Sequence, residues 1–317
     1  LLKYINFYPW AVLRGLKAAI FGKKNNVDLV LADIAFESIL VSRVASNILN
    51  IPLISSIHDD PVNRLKKKNY SPSFVELYER VFHKTLKKSK RCIVISDYMG
   101  KYYSKKYNIK FKTLFLGPDE NKLLPIKNIK NDNKPFVFGS VGSINHASNF
   151  ETFLESCMQK NNLKNYPLLR VNVIGNNDIQ ISESFQEIAS LKGWINNQSF
   201  QEELKIINAG FLTSTFKQSE KVQSITSFPL KIHSFIQAGV PIFSISPNYS
   251  SIANFLQDTG CGINCNSLSI HRISKSLTEF IDLHKKNRFE TAIIELREKL
   301  NEKLFYHRFI NILKNVL

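Results

Sequence analysis

Short apolar runs alternate along this chain with stretches whose apolar residues recur every three to four positions. The first pattern is that of a buried strand and the second that of a helix packed by one face. In the first part, strands are predicted at Val27–Ala32, Pro52–Ile57, Cys92–Ile95 and Thr113–Leu116. Helices are predicted between them at Trp10–Phe21, Phe36–Leu49, Ser73–Lys88 and Asp97–Lys106. Lys122–Lys134 is polar without a period and reads as a linker. A second series starts at Pro135, with strands at Phe136–Val141, Leu169–Ile174, Gly210–Thr213, Pro241–Ile245 and Gly262–Asn264. Its helices are predicted near Phe150–Lys160, Glu183–Ala189, Phe200–Ile207, Pro229–Ala238, Ile252–Leu256 and Ile270–His284. Phe289–Leu317 reads as one or two surface helices, with Phe305, Phe309, Ile312 and Leu313 on a packing face. Such alternation predicts α/β units built on parallel sheets.

The most informative stretch runs from Ser227 to Ile245. Ser227 is placed to cap a helix, Pro229 suits a first helical turn, and Gly239 with Pro241 stops the helix before the apolar run Ile242–Ile245. Lys231 falls in the first turn, where orphan N–H groups and the dipole already favour an anion. A lysine there opposes the dipole, a cost that makes sense if phosphate binds at the same end. On local physics a solvated lysine and a phosphate-binding one are both open.

Composition adjusts this picture modestly. At 317 residues the chain accommodates two domains. No apolar run reaches the roughly 18 residues of a membrane span, and no stretch of these residues reads as a secretory signal peptide, which says little of a longer protein since the sequence starts at Leu1 rather than Met. Cys92, Cys157, Cys261 and Cys265 lack zinc-type spacing and read as structural thiols in a reducing compartment. The net charge of +17 is uneven: residues 1–134 hold 25 Lys/Arg against 11 Asp/Glu, the remainder 18 against 15. Lys66–Lys68, Lys84–Arg91 and Lys101–Lys112 concentrate it. Such a face suits an anionic membrane or a phosphorylated acceptor, and equally a solvated surface. The basic runs lack interleaved aromatics on strands and any nucleic-acid module, so no nucleic-acid partner is expected.

The run Pro229-x-Lys231-x-x-x-Phe235-x-x-Ala238-Gly239-x-Pro241 resembles the donor-site helix of GT-B glycosyltransferases of the group 1, family 4-like type. Other segments resemble that family in the same order. Ile51–Asp59, Cys92–Ser96 and Leu116–Asp119 resemble its acceptor domain. Phe136–Gly142, Val171–Gly175 and Leu191–Ile195 resemble its donor domain. The resemblance implies two Rossmann-like domains: an N-terminally incomplete acceptor-side domain over 1–121, a linker over 122–134, a nucleotide-sugar domain over 135–288 and helices over 289–317.

It further implies transfer of a sugar from a nucleoside-diphosphate-sugar donor to a glycan or lipid-linked acceptor in surface polysaccharide assembly. Transfer would be retaining and independent of a metal, with no cofactor beyond the donor substrate. The protein would be cytoplasmic, peripheral on the inner membrane face. Lys231 is the expected cation for the departing diphosphate, and His58 is expected near the reacting sugar. Donor contacts fall on Gly142, His146, Gly175, Asn176, Trp194, Ile195, Ser227, Phe228 and Pro229. For several of these a plainer reading stands beside the functional one: a tight turn at Gly142, a histidine bonded to Asp59 or Asp60 at His58, a core tryptophan at Trp194. Thr226 and Ser234 occupy the places where relatives carry two glutamates. A non-catalytic sugar-nucleotide or glycan-binding subunit and a GT-B sugar-nucleotide epimerase are the alternative readings.

Overall fold

The computed structural model describes residues 7–129, 134–144, 146–163, 166–175 and 181–317. It is a mixed α/β structure whose contacts separate two compact units. One comprises Leu1–Phe115, Ile225–Phe228 and Phe305–Leu317, the other Leu116–Ser224 and Pro229–Leu304.

The first unit is built on four parallel strands, β1 (Val30–Asp33), β2 (Leu53–Ile57), β3 (Arg91–Val94) and β4 (Phe111–Thr113), in that spatial order. Helix α1 (Phe7–Lys24) packs against α2 (Ser38–Leu49) through the small or apolar residues Phe7, Ala11, Gly15, Ala19 and Gly22. A short helix, α3 (Pro61–Lys67), which the periodicity does not predict, precedes α4 (Pro72–Lys88). Asp60 starts α3 by accepting from the Asn63 amide at 2.7 Å, and Pro61 holds its first position. α5 (Asp97–Tyr107) begins at a Ser96 cap. The buried Ile54, Ile93 and Leu114 receive Phe305, Phe309, Ile312 and Leu313 from the last helix (Glu302–Lys314), the face its spacing predicts.

The second unit holds six parallel strands. The chain enters at β5 (Phe136–Val141) and steps outward through β6 (Leu169–Ile174) to β7 (Ala189–Gly193). It then returns to β8 (Ala209–Thr213), beside β5, and steps the other way through β9 (Ile242–Ile245) to β10 (Gly262–Cys265). The strand order is therefore β10-β9-β8-β5-β6-β7, a doubly wound sheet whose direction reverses between β5 and β8. Its core is aromatic: Phe153 and Phe211 stack at 3.9 Å, and Phe138 meets Phe153 edge-on at 5.2 Å. All four cysteines are buried free thiols, and burial pushes those of Cys92 and Cys261 up to about 12.

Three expectations change. The strand predicted at Thr113–Leu116 lies at Phe111–Thr113 and shares only Thr113 with it, because the apolar run marks the buried segment after the strand, where Leu114 and Phe115 are buried. Glu183–Ala189, read as a helix, is one 3-10 turn (Glu183–Phe185) followed by β7. β7 is an edge strand with only Ala189 buried, so it lacks the apolar alternation that betrays a strand. The helix expected from Pro229 begins at Ile232 instead. Pro229 and Leu230 accept 3-10-type bonds from Ile232 and His233, and the cap position falls to Lys231, with no side-chain cap bond. Ser227 therefore does not cap this helix.

Helices α6 (Ala147–Asn161), α7 (Asn197–Ile206) and α8 (Lys221–Thr226) precede α9 (Ile232–Ala238), which is held at its far end by a residue distant in sequence. Arg297, on the helix Glu290–Lys299, donates to the carbonyls of Ile236 at 2.9 Å, Gln237 at 3.0 Å and Leu124 at 2.7 Å. Two of these carbonyls lie in the last turn of α9, where they also accept from the Gly239 and Leu124 amides, and a cation there complements the dipole. Arg297→Met removes all three charge-assisted bonds, leaving Ile236 and Gln237 only their backbone donors, the Gly239 and Leu124 amides. It should destabilise the second unit by roughly 2 kcal/mol or more, the scale of bonds to a charged donor, in urea unfolding.

His284 is buried and lies 3.0 Å from the Asn208 carbonyl, to which it can only donate. Burial pulls its imidazole down to about 4. A depressed histidine adds stability that is complete above its unfolded value and is lost as pH falls toward its folded one. Between pH 6.5 and 4 the wild type should lose about 3 kcal/mol more than His284→Gln, which keeps a donor without the titration. Paired urea titrations at pH 7, 5.5 and 4.5 measure the difference.

Candidate functional site

A doubly wound sheet binds ligands at the carboxyl ends of its strands, where the strand order reverses. In the second unit that place is the end of β5 and β8. Gly142 follows β5 with φ +73, and its amide donates to the Ile174 carbonyl at 2.7 Å. Gly175 follows β6 with φ +128, and its amide donates to the Gly193 carbonyl at 2.8 Å. A methyl group on Gly175 would sit 2.9 Å from the Gly142 Cα, closer than real contacts allow. The two glycines thus lie against each other, each in a backbone conformation that side chains disfavour.

Lys231 lies over this point. A methyl group on Gly142 would be 4.0 Å from its Cε, and its Nζ donates to the Ser143 carbonyl at 2.9 Å. The side chain is half-buried and, among the described residues, pairs with no carboxylate. Burial pulls its ammonium down to about 8. A desolvated cation beside strand-end glycines is suited to receive an anion. The neighbouring helix, α6 (Ala147–Asn161), begins at His146 without a side-chain cap bond. Asn149 in its first turn donates to Thr213 Oγ1 at 3.2 Å and to the Ser214 carbonyl at 2.9 Å. That side chain ties α6 to the end of β8 and so fixes the mouth of the switch point.

The other expected donor residues are placed as follows. Trp194, directly after β7, is 82% exposed, so the core reading does not apply, and Ile195 is half-buried. Asn176 lies outside the described residues. Pro229 belongs to the second unit, whereas Ser227 and the buried Phe228 group with the first. Phe228 stands edge-on to Phe115 at 5.2 Å there. Thr226 and Ser234 are both buried.

His58 occupies the corresponding edge of the first unit, immediately after β2. Its Nε2 lies 3.2 Å from Ser56 Oγ rather than on Asp59 or Asp60. Asp60 is committed to capping α3, and burial pushes its carboxyl up. His58 lines a cavity of about 270 Å³ together with Asp33, Asp59, Phe36, Arg64 and Lys68, among others. Pattern reading missed the Ser143 carbonyl, Asn149 and Arg64, and marked Lys68 only as part of the basic run Lys66–Lys68. Asn149 gave little signal, being one of several polar residues in an amphipathic helix.

No family model matches the chain, and no curated protein matches its sequence. Solved structures do. Sucrose-phosphate synthase from Thermosynechococcus elongatus superposes with a TM-score of 0.69 at 11% identity, over 93% of this chain and 75% of that one. The lipopolysaccharide outer core galactosyltransferase WaaB in its apo form gives 0.67 at 14% identity, over 98% and 81%. The pneumococcal O-GlcNAc transferase GtfA, in complex with UDP and GlcNAc, gives 0.61 at 14% identity, over 94% and 59%. With a parallel sheet in each unit and the 3-2-1-4-5-6 winding of the second, the chain has the GT-B fold found in these glycosyltransferases.

Proposed function

We propose that this protein is a glycosyltransferase that uses a nucleoside-diphosphate-sugar donor, with the diphosphate received by Lys231. The observation that carries the reading is the half-buried Lys231 ammonium, free of any described carboxylate, above the Gly142–Gly175 contact at the switch point. Breaking the glycosidic bond places negative charge on the departing diphosphate, and a positioned cation in a partly dry site stabilises it. Amides at the start of α6 add partial positive charge at the same edge. Gly142 and Gly175 let a ligand approach the main chain, and Trp194 offers an exposed ring beside that edge for a nucleobase. His58 is read as contacting a sugar hydroxyl from the first unit. Retention of configuration, independence from metal, a glycan or lipid-linked acceptor and a place in surface polysaccharide assembly follow from the family resemblance. The structural neighbours, a lipopolysaccharide outer core galactosyltransferase and an O-GlcNAc transferase in complex with UDP and GlcNAc, support the same general chemistry.

Calorimetric titration of UDP, GDP and ADP into the protein tests the donor site. One nucleotide should bind selectively, and Lys231→Met should weaken it at least tenfold without loss of stability, since that lysine is desolvated without a counter-ion. Affinity should be full near pH 7 and fall as pH rises through the lysine's value of about 8. Absence of binding by all three to a folded sample would overturn the donor reading in favour of a non-catalytic subunit, which the uncharged Thr226 and Ser234 would then explain.

The reading extends to an anionic membrane surface. No helix among the described residues is long and apolar enough to cross a membrane. Helix α1, however, leaves Trp10, Leu13, Leu16, Ile20 and Phe21 exposed. It carries Arg14, Lys17, Lys23 and Lys24 and no acidic residue. This exposed surface mixes apolar side chains with cations, Lys17 lying among them, a combination that suits an anionic headgroup layer. Sedimentation with phosphatidylglycerol vesicles should exceed that with phosphatidylcholine vesicles, and Ile20→Glu/Phe21→Glu should abolish it. Equal sedimentation with both would reject this face.

A further inference from the structure

We infer that the first unit's cavity binds a sugar carrying an anionic group, a phosphate or a carboxylate. The inference rests on the glycosyl-transfer reading and deepens it by naming the substrate class. The cavity lies at the carboxyl ends of β1 and β2 and is formed wholly within that unit. Its volume of about 270 Å³ is near the lower end of small-molecule pockets, suited to one sugar ring with its substituent and too small for a dinucleotide.

The lining divides into three kinds of group. Phe36 and Tyr70 present aromatic rings, 6.0 Å apart and edge-on, as apolar surface for the C–H face of a pyranose. Phe36 is held there at φ +23, which a non-glycine residue adopts only when its surroundings impose it. Ser38 supplies part of that hold. Its hydroxyl accepts from the Ala35 amide at 2.8 Å and contacts the Asp33 carbonyl at 2.5 Å, which pins the turn between β1 and α2. The Phe36 ring also stacks on the buried Tyr78 at 6.2 Å. The platform is therefore rigid before any ligand arrives.

Asp33 and Asp59 supply carboxylates, the usual acceptors for sugar hydroxyls, with His58 beside them. Arg64 and Lys68 supply the third kind. They stand four residues apart at the end of α3, on one side of it, and both face the cavity. Among the described residues neither forms an ion pair, although two carboxylates line the same cavity. A neutral hexose would use the carboxylates and the rings and leave both cations idle. A phosphate or carboxylate on that hexose uses all three sets, and a guanidinium can take it through two parallel hydrogen bonds.

The test compares glucose, glucose 6-phosphate, glucuronate and inorganic phosphate by calorimetry at low salt, on the wild type and Arg64→Gln/Lys68→Gln. Arg64 and Lys68 are exposed, so the variant is expected to fold. Glucose 6-phosphate or glucuronate should bind at least tenfold more tightly than glucose and than inorganic phosphate. The double variant should bring them to parity with glucose. Parity already in the wild type, or an unchanged preference in the variant, would overturn the inference. Phosphatidylinositol vesicles, added as competitor, distinguish a lipid-borne anionic sugar, which displaces the hexose phosphate, from a soluble one. UDP binding is measured on the same samples. Loss of UDP binding in the wild type with the anionic preference intact would remove the donor reading and leave this site standing, and the converse would remove only this site.

Discussion

The second unit depends on one close approach. β5 and β6 end in glycines that face each other with no room for a Cβ, and each end is tied to the next strand by an amide bond across the edge. The edge is consequently made of main chain rather than side chains. A flat, amide-rich floor at the switch point of a parallel sheet is a surface that a ligand can approach to contact distance. Lys231 can lie across it only because nothing projects from it. Any larger residue at Gly175 would push β5 and β6 apart, and the lysine would lose its carbonyl partner on Ser143.

Much of this was legible in the sequence for a physical reason. β5 is buried along both faces and has no charged residue, β6 alternates apolar with polar residues over Leu169–Val173, and both appear in the structure with the bounds those patterns predict. Gly239, left-handed at φ +67, ends its helix where a glycine before a proline says it should. What escaped reading was whatever depends on distance along the chain or on exposure. β7 has one buried residue and leaves almost no pattern. α3 is too short for a period. The start of α9 was misjudged because Pro229 is equally compatible with a 3-10 turn, and local preference does not decide between the two. Arg297 gave no signal, since its three carbonyl partners lie about 60 or more residues away in sequence.

The charge of the first unit also resolves into parts. Lys23 and Lys24, Lys66 and Lys67, Lys87 and Lys88, and Lys105 and Lys106 all sit in the last turns of helices, where cations complement the dipole. In an α/β unit, crossover helices such as α4 and α5 end at the edge where strands begin, opposite the ligand edge. Those lysines stabilise helices away from the site. α3 is the exception, because it is an excursion at the carboxyl edge after β2. That is why Arg64 and Lys68, and not the longer basic runs, line a cavity.

The two ends of α9 show how residue choice separates structure from chemistry. Both carry a cation drawn out of water, and burial lowers the proton affinity of each. Arg297 starts from so high a value that it stays charged, and its planar fork meets three carbonyls at once. It fixes the helix. Lys231, at the other end, starts two units lower, meets a single carbonyl, and reaches a value of about 8. Its position opposes the dipole, and that one carbonyl is its described partner in the unliganded unit. An anion at the glycine edge would supply the missing counter-charge and raise the lysine's proton affinity in the same step. The helix is therefore clamped where it must only keep its shape, and left electrostatically incomplete where a diphosphate would complete it.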